Sequence, residues 1–94
     1  MTTMQKRLTC QVFGRVQMVM FRDFVTREAR SLGINGTIKN NLDGTVSIIA
    51  EGDEILLYAL LELVGKGPIL ARVDKVTGEL SEPLGGYKNF DILY

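Results

Sequence analysis

The sequence predicts an α+β fold with the element order β-α-β-β-α-β and one further C-terminal strand, which is the split βαβ or ferredoxin-like arrangement. Two kinds of pattern predict it. Some segments alternate between apolar and polar residues, as half-buried strands do, and two others repeat their apolar residues at helical spacing. The 94 residues have room for a single domain, spanning residues 1–94.

A strand and a helix open the predicted fold. Residues 7–13 alternate, with Cys10 on the apolar face, which predicts a half-buried strand. Between residues 21 and 32 the spacing becomes helical, and Gly33 follows as a C-terminal cap. The apolar stripe of this helix consists of Phe21, Val25, Ala29 and Leu32.

A hairpin and a second helix come next. Residues 36–41 and 45–51 are predicted strands, and the Asp-Gly pair between them is a strong signal for a tight turn. The second helix is predicted over residues 53–66, and Gly67-Pro68 ends it. Its core positions are Leu57, Leu60, Leu61 and Val64.

Two more strands complete the predicted order. Residues 71–76 form one, and the alternating residues Phe90, Ile92 and Tyr94 form the last. A polar connection that contains two glycines, residues 81–89, joins them. No repeat, low-complexity tract or linker interrupts this order.

Composition excludes several classes of function. Eleven basic residues balance eleven acidic ones, which disfavours nucleic acid and anionic membrane surfaces as partners. The absence of histidine removes the commonest general base and the usual zinc ligand. A single cysteine, Cys10, excludes an internal disulfide, and neither a signal sequence nor a membrane span is visible, so we expect a cytoplasmic protein.

The segment between the first strand and the first helix, residues 14–22, is the part of the sequence that suggests chemistry. A short loop that leads into a helix N-terminus presents unpaired backbone N–H groups to an anion. Arg22, in the first turn of the helix, is able to add a bidentate contact to a phosphate. From the loop and the arginine alone, an ordinary strand-to-helix turn with a surface arginine is the simpler interpretation.

The wider motif changes that interpretation. Residues 14–22 are Gly-Arg-Val-Gln-Met-Val-Met-Phe-Arg, and they are followed by Gly-Thr-Ile-Lys-Asn at 36–40 and Asp-Gly-Thr-Val at 43–46. Together these motifs resemble the acylphosphatase family, with further similarity at Glu51-Gly52 and on to Phe90-x-Ile92. The resemblance implies an open-faced sandwich with two helices on one face of an antiparallel sheet, and a hydrolase that cleaves acyl phosphates by in-line attack of water.

The resemblance also implies roles for particular residues. Arg22 matches the arginine that binds phosphate, and Asn40 matches the asparagine that positions the attacking water. The phosphate-binding loop, called the phosphate loop below, consists of Arg15, Val16, Gln17, Met18, Val19 and Met20. Strand parity places Asn40 on the same face as Ile38, toward the helices, although an asparagine before a hairpin is also a common turn residue.

Two residues depart from the family pattern. Met18 stands where the family usually has glycine, and a positive φ there would strain the backbone. We expect the Met18 backbone to be unstrained. Thr37 replaces an aromatic residue after the strand-opening glycine, which puts local packing and any contact with the acyl group in doubt.

No cofactor or metal is expected. Acidic residues such as Asp23, Asp43 and Glu51 match no known magnesium loop in their spacing. A cysteine phosphatase would need a Cys-x5-Arg loop, but only four residues separate Cys10 from Arg15.

The remaining expectations concern partners. We expect a monomer that acts on a small-molecule acyl phosphate, although Leu56 and Leu63, at the margin of the second helical stripe, are either ordinary surface residues or a weak self-association surface. Two alternatives stay open. One is a non-catalytic anion-binding or regulatory domain on the same ferredoxin-like fold, and the other is an RNA-binding module, which neutral charge disfavours.

Overall fold

The structure of the protein, a computed structural model, describes residues 4–94. Its elements follow the predicted order. They are β1 (Gln5–Arg15), α1 (Phe21–Ser31), β2 (Asn35–Asn40), β3 (Val46–Asp53), α2 (Glu54–Lys66), β4 (Arg72–Ser81) and β5 (Phe90–Leu93). In this part of the chain, neither helix is long and apolar enough to cross a membrane.

The strands form one sheet in the order β4-β1-β3-β2-β5. β1 is antiparallel to both β3 and β4, and β2 is antiparallel to β3. β5 pairs with β2 in parallel, so the sheet is mixed and not wholly antiparallel as expected. The reason is the connection over residues 82–89, which crosses from the β4 edge to the opposite edge before β5 begins.

Both helices pack on one face of this sheet and bury a single core. The predicted apolar faces are confirmed except at Leu32, which lies just past the end of α1, and at Leu61, since both are only partly buried. In β1 and β3 alternate residues are buried, and in the helices the residues at helical spacing are buried. The core members on these elements are Leu8, Cys10, Val12, Phe21, Val25, Ala29, Val46, Ile48, Ala50, Leu57, Leu60 and Val64.

The edge strand β4 and its neighbour β1 are longer than their apolar patterns indicated, whereas β5 ends at Leu93, one residue before the predicted Tyr94. β4 continues to Ser81, well past the predicted end at residue 76, and β1 runs from Gln5 to Arg15. Backbone pairing between β1 and β4 continues over exposed residues, where no apolar alternation marks the strand. In α2, Leu56 is 36% exposed and Leu63 is half-buried, as expected for the margin of the stripe.

A carboxylate fastens the 82–89 connection to the sheet. Glu51 accepts hydrogen bonds from the N–H groups of Leu84 at 2.8 Å and Gly85 at 3.0 Å, and from Arg7 Nε at 2.7 Å. Burial by itself raises the pKa of Glu51, but these hydrogen bonds outweigh it, and the pKa lies below its ordinary value of 4.5. The connection that leads into β5 is therefore held by a charged group.

Candidate active site

Just before the phosphate loop, the pairing of β1 with β4 shifts register between Phe13 and Gly14. Gly14 has a φ of 128°, and a Cβ there would lie 2.1 Å from the carbonyl oxygen of Arg72. No other residue fits this close approach of two strands. β1 still pairs with β4 at Gly14 and Arg15, and the chain then continues through the loop to the start of α1 at Phe21.

Buried side chains fix the two ends and the middle of the loop. Val16, Val19 and Phe21 are 1%, 6% and 1% exposed and belong to the core. Met18 and Met20, which lie between them, have φ values of 59° and 62°. The expectation that Met18 is unstrained is therefore wrong.

The physical reason is the short distance along the chain between the buried side chains. Residues 18 and 20 must reverse the backbone so that Val16, Val19 and Phe21 all reach the same core. A residue in the left-handed region of φ/ψ space reverses the chain direction in this way. For any residue with a Cβ this conformation is higher in energy than the right-handed one.

The loop leaves backbone donors without protein partners. Among residues 4–94, no protein acceptor is found for the backbone N–H groups of residues 16–20. Met20 is the N-terminal cap of α1, and its side chain makes no capping hydrogen bond. Together with the positive end of the helix dipole, these donors form a site suited to an anion.

Gln17 ties the loop to the hairpin between β2 and β3. Its Nε2 donates to the carbonyl oxygens of Asn41 at 2.8 Å and Thr45 at 2.9 Å. The side chain of this predicted phosphate-loop residue joins two segments of the chain. Sequence reasoning missed this bridge, because it joins residues 24 and 28 positions apart.

Arg22 lies in the first turn of α1 and is half-buried. It lines a cleft of about 220 Å³ together with Val16, Met18 and Met20 of the phosphate loop. The predicted association of Arg22 with this loop is thus present in the fold.

Four of the positions singled out from the sequence line neither cleft: Arg15, Gln17, Val19 and Thr37. Arg15 is exposed at the end of β1, where it pairs with Arg72 of β4, and it lines neither cleft beside the phosphate loop and the hairpin. Thr37 on β2 is also absent from both linings. Its difference from the family pattern therefore does not alter the walls of these clefts.

Asn40 ends β2, opposite Val46 of β3. It shares its face with the fully buried Ile38, as strand parity predicted, and it lines a shallow cleft of about 510 Å³ that is open to solvent. Its Oδ1 is buried and has no hydrogen-bond partner within residues 4–94. An unpaired buried oxygen is unusual in a folded protein and is expected where function requires it.

The neighbouring Asn41 has the structural role that was the alternative for Asn40. Its Nδ2 donates to Thr45 Oγ1 at 2.9 Å and to Ser47 Oγ at 2.7 Å. Asp43 completes the turn by accepting from the hydroxyl of Thr45 at 2.6 Å and from its N–H at 3.0 Å, and these two bonds lower the pKa of Asp43. The turn is thus stabilised without the Asn40 amide.

The remaining reactive groups have structural partners. Asp23 pairs with Arg27 at 3.3 Å, and Glu51 holds the 82–89 connection. Cys10 is buried in the core, as predicted, and burial raises the pKa of its thiol to about 11. Within residues 4–94, no three His, Cys, Asp or Glu side chains lie close enough together to hold a metal ion.

Comparison with known proteins identifies the family. The model of the acylphosphatase family matches residues 8–92 of the chain. The chain belongs to the acylphosphatase family. An acylphosphatase of Deinococcus radiodurans is 49% identical over 79 residues, which are 84% of this chain and 91% of that protein. An acylphosphatase of Thermotoga maritima is 47% identical over 89 residues, or 95% and 98% of the two chains.

The fold agrees with a solved acylphosphatase. The crystal structure of acylphosphatase from Bacillus subtilis has a TM-score of 0.91 to this chain at 38% identity, covering 95% of this chain and 99% of that one. The predicted acylphosphatase family, ferredoxin-like fold and hydrolase class are therefore confirmed. A non-catalytic domain on the same fold is not favoured.

Proposed function

We propose that this acylphosphatase hydrolyses small acyl phosphates, with Arg22 binding the phosphoryl group and Asn40 orienting the attacking water. The observation that carries the proposal is the buried, unpaired Oδ1 of Asn40, a residue that lines a cleft adjoining the cleft of Arg22. The two clefts share Tyr94 as a common wall.

The phosphoryl group is bound by two kinds of donor. Backbone N–H groups of residues 16–20 have no other partner among residues 4–94, and they approach the group without long flexible side chains. Arg22 adds a planar guanidinium whose geometry matches two phosphate oxygens. These donors stabilise the charge on the equatorial oxygens in the transition state.

Asn40 orients the attacking water. Its amide carries an acceptor and two donors, and rotation about χ2 exchanges which of them faces the cleft. Gln17 fixes the hairpin next to Asn40 against the phosphate loop through two hydrogen bonds. A water held by Asn40 is thereby kept at a constant position relative to the phosphoryl group, which is the main requirement for in-line attack.

The bond changes need no general acid. The water oxygen forms a bond to phosphorus while the bond between phosphorus and the carboxyl oxygen breaks, and the leaving group is a weakly basic carboxylate. The water's proton passes to a phosphate oxygen of the substrate. The products are a carboxylate and inorganic phosphate, and the mechanism uses no cofactor or metal.

We further propose that the enzyme is a cytoplasmic monomer. Cys10 is a free thiol, which fits a reducing compartment. Light scattering on the purified protein measures its mass and tests the monomer directly.

Two neighbouring asparagines provide the test of the proposed roles. Asn40→Ala should keep the fold and lower the turnover of acetyl phosphate by about 10²–10³, since one preorganised polar contact in a transition state has that effect. Asn41→Ala is the matched control. It should lower stability by about 1 kcal/mol through the loss of its turn hydrogen bonds, with a much smaller change in turnover of the folded enzyme.

Turnover, the inhibition constant of phosphate and the thermal midpoint are measured on the same preparations. Phosphate inhibition should change little in Asn40→Ala, because the loop and Arg22 bind the phosphoryl group before water attacks. Near-normal turnover with a lowered midpoint in Asn40→Ala would return this residue to a structural role. Failure of the unaltered protein to release phosphate from acetyl phosphate would contradict the proposed activity itself.

A further inference from the structure

Strand β5 brings Tyr94 to the catalytic end of β2. The two strands pair in parallel, with Ile38 opposite Ile92 and Lys39 opposite Leu93. Extending this register by one residue places Tyr94 level with Asn40. A residue that is 54 positions away in the sequence is therefore a direct neighbour of the proposed site.

The start of β5 is fixed to the rest of the fold, which fixes this position. Phe90 is fully buried in the core, and its carbonyl oxygen accepts a hydrogen bond from Arg30 Nε of α1 at 3.0 Å. β5 is thus attached to α1 and to β2, the two elements that carry Arg22 and Asn40. Tyr94 directly follows the last residue of this strand, Leu93.

Tyr94 contacts the guanidinium of Arg22. The Arg22 Cζ lies 5.2 Å from the centroid of the Tyr94 ring, within the range of a cation–π interaction. The ring also contributes to the walls of both clefts. It is therefore the side chain that borders the arginine on one side and Asn40 on the other.

We infer that Tyr94 is a positioning residue that acts through Arg22: its ring restricts the guanidinium, and the N–H groups at the edge of the guanidinium stay available for the phosphoryl group. An arginine loses much rotational freedom when it binds a ligand. A ring that contacts its face removes part of that freedom beforehand without using the N–H donors. The inference rests on the proposed role of Arg22 in phosphate binding.

The size of the effect follows from the exposure of the ring. Tyr94 is 98% exposed, so the interaction belongs to the weak, solvated class of cation–π contacts. Such a contact corresponds to a change in affinity of about two- to fivefold. Because the side chain buries almost no surface, its replacement should leave the thermal midpoint unchanged.

The test compares three variants of the full chain. Tyr94→Leu keeps an apolar side chain but removes the aromatic face, Tyr94→Phe keeps the face, and Tyr58→Leu is the matched control on α2, where Tyr58 is 50% exposed. The dissociation constant of inorganic phosphate is measured by NMR titration of the backbone amides. Acetyl phosphate supplies KM and kcat.

We expect Tyr94→Leu to raise the phosphate dissociation constant and KM by about two- to fivefold, with a smaller change in kcat. Tyr94→Phe and Tyr58→Leu should behave like the unaltered protein. An unchanged dissociation constant in Tyr94→Leu would overturn the inference. An equal loss in Tyr94→Phe would also overturn it, since the hydroxyl and not the ring face would then be responsible.

A double-mutant cycle tests whether Tyr94 acts through Arg22. In an Arg22→Gln background, Tyr94→Leu should have no further effect on the phosphate dissociation constant, and an undiminished effect there would refute the mechanism. The two proposals fail in different ways. A protein that does not hydrolyse acetyl phosphate contradicts the proposed function. An active protein whose phosphate dissociation constant is the same with and without the Tyr94 ring contradicts only this inference.

Discussion

Replacing Met18 by glycine should stabilise the protein. Met18 has a φ of 59°, in the left-handed region, and its side chain is 96% exposed. Because the side chain buries so little surface, its removal costs almost no packing energy. The substitution therefore changes mainly the conformational energy of the backbone.

The magnitude is the difference between two opposing effects. A residue with a Cβ in the left-handed region is destabilised by about 1–2 kcal/mol, which glycine relieves. Glycine also increases the entropy of the unfolded chain, which costs about 0.5–1 kcal/mol. The net stabilisation lies between about 0 and 1.5 kcal/mol, and in a domain of this size its middle value of about 0.75 kcal/mol raises the thermal midpoint by about 3–6 °C.

The assay is thermal and urea unfolding of purified variants, with Leu42→Gly as the control. Leu42 is also fully exposed and lies in a loop, but it does not have a positive φ. Glycine at residue 42 should therefore show only the entropic cost and lower the midpoint. If Met18→Gly lowers the midpoint as much as Leu42→Gly does, the backbone at Met18 is not strained and the reasoning is refuted.

Four further predictions concern charge, metal and the thiol. Arg22→Lys should weaken inhibition by phosphate, because a lysine lacks the planar fork; an unchanged inhibition constant would remove Arg22 from phosphate binding. Chelator should leave acetyl phosphate turnover unchanged, and a loss restored by magnesium would contradict the metal-free mechanism. Glu51→Gln should lose about 1–3 kcal/mol at pH 7. Since the folded pKa of Glu51 is lowered, its contribution is present above the ordinary value and disappears on acidification, so urea unfolding should show the variant approaching wild type below pH 4.5. Cys10, with a thiol pKa of about 11, should resist a thiol reagent at pH 8 until the protein unfolds.

The sequence by itself determined the order and type of the elements and the place of Arg22 in the first turn of α1. Alternation at residues 7–13 and helical spacing from Phe21 identify β1 and α1, because the side chains that face one core recur with the period of the backbone. These patterns depend only on residues a few positions apart. They therefore also locate the loop between the two elements and the arginine in the first helical turn.

Strand parity also predicted which way Asn40 faces. Asn40 shares its face with Ile38 because side chains alternate along a strand, and the structure has both on that face. Parity did not distinguish the unpaired amide of Asn40 from the hydrogen-bonded amide of Asn41. That distinction depends on Thr45 and Ser47, which reach Asn41 only after the hairpin has closed.

The tertiary structure alone decided how the distant segments meet. The positive φ of Met18 results from burying valines on both sides of it, and the bridge from Gln17 exists only when the hairpin lies beside the loop. The parallel entry of β5 beside β2 places Tyr94 against Arg22. None of these contacts has a local signature, because strand order and register, and not the neighbouring residues in the sequence, determine which side chains come together.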